Sequence, residues 1–465
     1  MSLHSPGPNS RRATPGGGWP ALLERGGKGL PRLAGVAVTL LLLSSCSFKT
    51  PQSTLDPHGL VARDQLSLFY ITVWVSLFIF VTVGGAMALV VWKYREKPGD
   101  ENKPMPAQGH GNPLIEIGLI TASIALLVII AVPTLKAIFL TDALPTDQPY
   151  WKTSLLGSWY NKAGGNLPAA VENQPLIIDV HGWQWWWSFD YTQFGFTTAN
   201  EFVMPAGKVV EFKLRSNNVI HSFWLPKIAG KVDLIPGRNN EMWMMPDELI
   251  VDKDGKVIQE GADTYENGLY YGQCAQYCGE SHAFMLFRAR VVSDKDFVEW
   301  VNKSLTPVAA PAADGKWGAF LSGVNPDEDS GDKPNPTMLA KPEQRGAALF
   351  FGRGSCIQCH KIDGSPSTAL LGPNLSHVAS RTSLASGFLD NLDNKGKMDA
   401  NRQQENFYNW ITHPNDIKPG NLMWNPQPGS NAGGLRDIVQ KNKDKKTPLT
   451  EADWHDLAAY LMTLK

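Results

Sequence analysis

The stretch CAQYCGESHAFM, Cys274 to Met285, places two thiols, an imidazole and a thioether within one short run. It reads C-x-x-x-C-x-x-x-H-x-x-M, with Gln276 between the cysteines. Thiolates and thioethers are soft donors that favour copper, and imidazole suits copper too. Taken singly, each residue has a plainer reading. The cysteines of an exported chain pair as a disulfide by default, Met285 packs in a core, and a histidine is a satisfied strand residue. Four donor residues of three types in register outweigh those separate readings. One upstream histidine, His221 in VIHSFWLP, has a suitable strand context. A β-sandwich that gathers a histidine from an early strand and Cys, His and Met from a late loop has the logic of a blue-copper domain. Here two cysteines, Cys274 and Cys278, stand in place of one, and two bridging thiolates can hold two coppers.

The chain around this stretch is β-rich. From about Pro175, the runs LIIDVHGWQWWWSFDY, EFVMPAGKVVEFKLRSN, VIHSFWLP, NEMWMMP, LYYGQC and FMLFRARVV alternate with Gly, Pro and Asn turns. This pattern predicts a sandwich or barrel over 175–303. DKDGKVIQEGADTYENG reads as a polar loop. DKDFVEWVNKSL reads as a closing helix with Asp294 as N-cap. Residues 304–341 are rich in Pro, Ala, Gly and Asp and read as a partly extended linker that packs locally around KWGAFL. In HGWQWWWSFDY, an uninterrupted strand puts Trp183, Trp185 and Trp187 on one face and Gln184 with Trp186 on the other.

Beyond the linker, residues 342–465 have helical patterning: PEQRGAALFFGRGSC, QENFYNWITHP and LTEADWHDLAAYLMTLK, with Thr450 as an N-cap. Within them CIQCH, Cys356 to His360, is the c-type haem attachment motif. Its thiols would add to the haem vinyl groups and His360 would take the iron. A thioredoxin-like pair would sit in an α/β context, and a four-ligand zinc site would need further cysteines beside this pair, where none remain. Met398, Met423 and Met462 are candidates for the second axial position, with His377 or His413 as bis-histidine alternatives. Met462 reads as core and Met398 lies in a charged loop, which leaves Met423 in HPNDIKPGNLMWNP as the expected ligand.

The N-terminal half reads as a membrane segment. Basic residues precede LAGVAVTLLLLSSC, so residues 1–45 read as a secretory signal. Its LSSC ending resembles a bacterial lipoprotein signal, with Cys46 as the lipidated mature N-terminus. Gln65–Trp92 and Ile117–Leu135 carry no charge and are long enough to span a bilayer, giving a helix hairpin over 60–142. Lys93, Arg95, Lys97 and Lys103 in its loop place that loop in the cytoplasm. The domain after the hairpin is then extracytoplasmic, with 143–174 as a connecting segment. Net charge is −1, so there is no bulk electrostatic case for nucleic acid.

The C-x-x-x-C-x-x-x-H-x-x-M run, VIHSFW, KVDLIPGR, GWQWWW and the helix hairpin together resemble subunit II of haem–copper cytochrome c oxidases. LGPNL and the KPG..M order around Met423 resemble class I cytochromes c, although Trp424 stands where that family commonly has proline. The whole resembles subunit II of a caa-type oxidase. The resemblance implies a cupredoxin Greek-key sandwich and an all-α cytochrome domain. It implies a dinuclear CuA centre with Cys274 and Cys278 bridging, His221 and Met285 completing one copper, and His282 with the Gln276 backbone carbonyl completing the other. It also implies one covalent haem c, and electron input to CuA through Trp185 as an exposed tryptophan. Glu116 could match a glutamate near a proton-channel mouth of subunit I. A glutamate commonly stands at the Gln276 position and its carboxylate also reaches a magnesium; glutamine drops that charge, which argues against a magnesium ligand from this chain. Implied partners are oxidase subunit I, the other oxidase subunits, and a cytochrome c or cytochrome bc-type donor, in a bacterial inner membrane. A nitrous oxide reductase, a copper-delivery or thiol redox protein, and a quinol-oxidase subunit II are the rivals. The first needs a histidine-rich cluster, the second leaves Met285 and the haem motif unexplained, and the third lacks the copper donors.

Overall fold

The structure is a computed structural model, which describes residues 50–95, 97–99, 104, 109, 111–249, 268–312, 314–323, 340–423 and 449–465. The 1–45 leader, Cys46, Lys103, Trp424 and most of the polar run after Val251 lie outside the described residues.

Two apolar helices come first, α1 (Leu60–Tyr94) and α2 (Pro113–Asp142). At 1.5 Å per residue, α1 is about 52 Å long and exceeds the ~30 Å hydrocarbon core of a bilayer. Two of its threonines return their hydroxyl donors to the helix: Thr72 Oγ1 to Leu68 O at 3.0 Å and Thr82 Oγ1 to Phe78 O at 2.8 Å, which suits these hydroxyls to an apolar surrounding. The first turn of α1 is fixed to the following domain, where the Leu60 amide donates to Met245 O at 3.0 Å. Asn112 caps α2, and Glu116 lies exposed in its first turn.

The connecting segment is more than a tether. Short helices α3 (Pro149–Ser154) and α4 (Leu156–Trp159) insert Leu156, Trp159 and Tyr160 into the sandwich core. Among the described residues the sandwich has ten strands: β1 (Leu176–Trp183), β2 (Trp186–Tyr191), β3 (Phe196–Ala199), β4 (Glu201–Pro205), β5 (Val210–Ser216), β6 (His221–Trp224), β7 (Lys231–Leu234), β8 (Asn240–Met244), β9 (Leu269–Cys274) and β10 (Leu286–Val292). One sheet has the order β3-β2-β1-β5-β8 and the other β4-β10-β9-β6-β7. Period-two alternation drives this: Leu176, Ile178 and Val180 of β1 are buried while their neighbours are only half-buried. Between the sheets lie Trp187, Phe189, Phe202, Phe212, Phe223 and Phe287, with Phe223 and Phe287 stacked at 4.5 Å.

The tryptophan run departs from the single strand expected of it. The chain folds back at Gln184–Trp185, so β1 and β2 form an antiparallel hairpin with Trp183 opposite Trp186. Their rings stack at 5.6 Å, a cross-strand pair that holds the turn in register. Gln184 therefore cannot share a sheet face with Trp186. At the other end of the sandwich, Ser293 and not Asp294 caps α5 (Asp294–Ser304): its hydroxyl accepts from the Asp296 amide at 3.1 Å.

The helical domain contains α6 (Trp317–Gly323), α7 (Pro342–Phe351), α8 (Ala400–Thr412), α9 (Pro414–Ile417) and α10 (Glu451–Leu461). Helix α6 lies at KWGAFL, where local packing is expected of the linker stretch, and it delivers Trp317 and Phe320 to the core of this domain, with Trp317 against Phe351 at 4.7 Å. The Thr450 cap expected for α10 forms, in a capping box with Asp453. A small hairpin, β11 (Ser383–Leu384) with β12 (Leu389–Asp390), faces the sandwich. There the Glu201 carboxylate accepts from the Thr382 amide at 2.9 Å and the Ser383 hydroxyl at 2.6 Å, and Arg288 donates to Thr382 O at 2.9 Å.

Candidate functional site

Strand register assembles the copper-type donors. Strand β9 pairs with β6 so that Phe223 lies opposite Cys274, and with β10 so that Gln273 lies opposite Leu286. The loop 275–285 is thereby closed at its neck, where the Cys274 amide donates to Met285 O at 2.9 Å and the Ala275 amide to Ser222 O at 3.0 Å. His221 enters from the start of β6. Its ring packs under Gly182 of β1, where a Cβ would lie 2.7 Å from His221 Cδ2.

The sulfur atoms converge. Cys274 Sγ and Cys278 Sγ are 3.8 Å apart and both thiols are free; a disulfide needs about 2.05 Å. His221 Nδ1 is 3.9 Å from Cys274 Sγ, His282 Nδ1 is 3.5 Å from Cys278 Sγ, and Met285 Sδ is 3.8 Å from Cys278 Sγ. Cys274 Sγ also lies 3.1 Å from the Gln276 carbonyl oxygen, whereas the residue as a whole is exposed. The ligand atoms of His221, Cys274 and Cys278 all fall within 4.8 Å of one another. Buried His221 Nε2 has no hydrogen-bond partner. The Cys278 thiol, aided by His221, draws the Cys274 thiol down against the effect of burial, while Cys278 is pushed up by Cys274 and by burial. Two thiols with imidazole, thioether and carbonyl donors around them fit a soft metal, and copper satisfies every member of that set.

Trp185 differs from its expected exposure. It is 8% exposed, because Gly420 and Ser386 of the helical domain cover it. Its indole N–H donates to Cys278 O at 3.0 Å, and Gln184 Nε2 donates to the same oxygen at 2.9 Å. The tryptophan therefore touches the donor loop on one side and the helical domain on the other.

The haem motif occupies a 3-10 turn, Cys356–Gln358, with the His360 amide donating to Cys356 O at 3.0 Å. His360 Nδ1 hydrogen-bonds to Pro373 O at 2.9 Å. A carbonyl only accepts, so Nδ1 carries the proton and Nε2 keeps its lone pair. Burial lowers the His360 pKa, although the Pro373 carbonyl opposes it, which keeps the ring neutral. Gly372 packs on the ring: a Cβ there would lie 2.7 Å from Cε1. Burial pushes the Cys356 thiol up to about 12 and raises that of Cys359, so both stand as thiols. A neutral imidazole with a directed lone pair beside two free thiols fits haem c.

Among the distal candidates, half-buried Met423 packs on the same core as Cys356, Ile357 and Leu375. Met398 is 44% exposed. Met462 caps the end of α10 and packs on the core. His377 and His413 use Nδ1 on Lys465 O and Thr412 Oγ1. Gly372 falls within LGPNL, the stretch whose resemblance already points to the proximal histidine. Gly182, Ser281, Ser386 and the contacts of Lys418 have no such signal: close approach at a glycine leaves no local mark, and the polar residues have partners far away in the chain.

Comparison with known proteins agrees with this division. Residues 195–292 match the family described as cytochrome c oxidase subunit II, periplasmic domain, and residues 343–465 match cytochrome c; these domains imply copper and haem c. Cytochrome c oxidase subunit 2 of Alkalihalophilus pseudofirmus is 29% identical over 384 residues, covering 82% of this chain and 88% of that one. The protein of the same name from Bacillus sp. strain PS3 is 29% identical over 429 residues, covering 91% and 94%. A crystal structure of the periplasmic domain of subunit II of the Bradyrhizobium japonicum cytochrome oxidase is 34% identical, covering 28% of this chain and 92% of that one, with a TM-score of 0.23. Because both domain families match this chain in order and these relatives align over nearly their whole length, the chain belongs to the cytochrome c oxidase subunit II family, in the form that carries a fused C-terminal cytochrome c domain.

Proposed function

We propose that this chain is the electron-input subunit of a terminal cytochrome c oxidase, receiving electrons from an external donor at its cytochrome domain and passing them through its copper domain to subunit I, where oxygen is reduced to water. The observation that carries the reading is the convergence of His221, Cys274, Cys278, His282, Met285 and the Gln276 carbonyl at the closed neck of one loop.

On this reading Cys274, Cys278, His221, His282, Met285 and the Gln276 carbonyl would hold the two coppers. Cys356, Cys359, His360 and Met423 would hold the haem c. These groups supply one-electron redox chemistry when bound. The protein supplies rigidity: the donors are preset by β6, β9 and β10, so little has to move when charge changes. Trp185 is the input residue to the copper loop, through its N–H on Cys278 O. The hairpin of α1 and α2 anchors the subunit in the inner membrane with both soluble domains outside. Lipidation of Cys46 adds a second anchor, supported by the LSSC sequence. Glu116, exposed at the start of α2, is the candidate for a proton-channel mouth.

Metal analysis, haem assay, and optical and paramagnetic spectra of the purified oxidase test this. Two coppers and one covalent haem per chain, with a mixed-valence copper signal, are expected. Absence of copper would reduce the chain to a tethered cytochrome beside a sandwich without redox function.

A further inference from the structure

The loop that carries Met423 starts at Lys418, a buried cation at the boundary between the two domains, only 3% exposed. Its ammonium donates to Phe284 O at 3.0 Å, to the Ser386 hydroxyl at 2.7 Å, and to Trp185 O. An ammonium has three N–H donors, so these partners saturate it. None of the three is a carboxylate. Neutral acceptors leave much of the desolvation cost of a cation standing, and burial draws this pKa down to about 7, with Cys278 acting against it. An apolar side chain of similar length would avoid that cost, so packing alone does not account for a lysine here.

What the lysine does provide is direction. Two of its acceptors are backbone carbonyls on either side of the copper donors: Trp185 in the β1–β2 turn and Phe284 beside Met285. The third, the Ser386 hydroxyl, is on the hairpin of the helical domain and donates in turn to Trp185 O at 2.9 Å, while the backbone carbonyl of Ser386 accepts from the Leu286 amide at 3.0 Å. The next two residues of the Met423 loop complete the seat. Pro419 O accepts from the buried Ser281 hydroxyl at 2.5 Å, one residue before His282. Gly420, at φ +71°, approaches so closely that a Cβ would lie 2.4 Å from Glu280 Oε2 and 3.3 Å from Trp185 Cη2.

We propose that Lys418 is a positioning residue for electron transfer within the chain: it pins the Met423 loop of the cytochrome domain onto the Trp185 and Phe284 carbonyls that flank the copper donors. This rests on the electron-input reading above. Electron tunnelling falls steeply with separation, so a loosened seat slows transfer without touching either cofactor's ligands.

The test compares the assembled oxidase carrying wild-type chain, Lys418→Met and Ser386→Ala. The rate of haem-to-copper transfer after rapid reduction of haem c is measured alongside hydrogen exchange of the Leu286 amide. Lys418→Met is expected to slow transfer on the order of tenfold, as a small misplacement does at other reaction sites, and to speed Leu286 exchange, with haem and copper spectra unchanged. Ser386→Ala is expected to do the same more weakly, and it carries the test if Lys418→Met does not assemble. Wild-type rates and exchange in the variant that assembles would overturn the proposal. So would slower transfer accompanied by an altered copper spectrum, which would mean that Lys418 supports the copper loop itself. Absence of haem-to-copper transfer in the wild-type oxidase would instead overturn the electron-input reading, before any substitution is considered.

Discussion

The copper loop and the haem segment are built on different principles within one chain. In the copper loop the donors come from residues 221 to 285 and are brought together by register between β6, β9 and β10. The metal has little to organise. In the haem segment, Cys356, Cys359 and His360 are neighbours in sequence and share one turn. His360 is oriented by its hydrogen bond to Pro373 O, while Met423 lies on a distant loop. The first site is a property of the fold; the second is a local motif that its cofactor finishes. Both share one device, a glycine packed flat on the key histidine: Gly182 on His221 and Gly372 on His360.

Removing a sulfur breaks this comparison most severely. Cys278→Ser is expected to lose nearly all copper, more than the ~100-fold that loss of an outer hydrogen bond costs a metal site. Haem content should be unchanged, as measured by metal analysis and haem assay. The converse variant, Cys359→Ser, should lose covalent haem and keep the copper signal. If either substitution removes both cofactors, the sites are not independent. Next in size is Met423→Leu. Haem should stay attached while its potential falls, since a methionine axial ligand raises it; redox titration reads this. Met398→Leu, at an exposed position, should leave the potential where it was. A reversed outcome would reassign the distal ligand.

The glycine pair separates the two principles more finely. Gly182→Ala and Gly372→Ala each force a methyl group into a histidine ring, at a cost of about 1–3 kcal/mol of overpacking. In the copper loop the sheet cannot move away, so Gly182→Ala is expected to weaken copper binding about tenfold, comparable to loss of an outer-shell partner. The haem segment has covalent thioethers to hold it. Gly372→Ala should therefore lower the thermal midpoint of the cytochrome domain while haem stays bound. Equal loss of both cofactors would show that His360 depends on its backing as much as His221 does.

What was legible in the sequence follows from the same contrast. CIQCH is local, and its reading needed no fold. CAQYCGESHAFM was legible because most of its donors share one loop, while His221 needed the strand context to be added. The sandwich was legible from period-two alternation. The Trp183–Trp187 run was not: five aromatic-rich residues satisfy a strand pattern whether or not they turn, and the turn depends on Trp183 stacking on Trp186. The burial of Trp185 was hidden for a different reason. Its cover, Ser386 and Gly420, lies about two hundred residues further along the chain, in another domain. Glu201, Arg288 and Lys418 likewise bond across the two domains, so nothing in their own strand or loop marks them.

The smallest expected effect concerns Gln276, between the two cysteines. Its carbonyl points inward, 3.1 Å from Cys274 Sγ, while the residue is exposed. Backbone geometry at this position is set by the closed neck of the loop, so the side chain is free to change. Gln276→Glu should leave the copper spectrum nearly as it is, because a carbonyl ligand does not depend on the side chain that follows it. The added carboxylate is expected to act only outward, as a new charge on the exposed face of the loop. Paramagnetic spectra of the two forms at matched copper content decide the matter. A large spectral change would mean that the side chain reaches the metal and that the loop is less rigid than the register of β6, β9 and β10 implies.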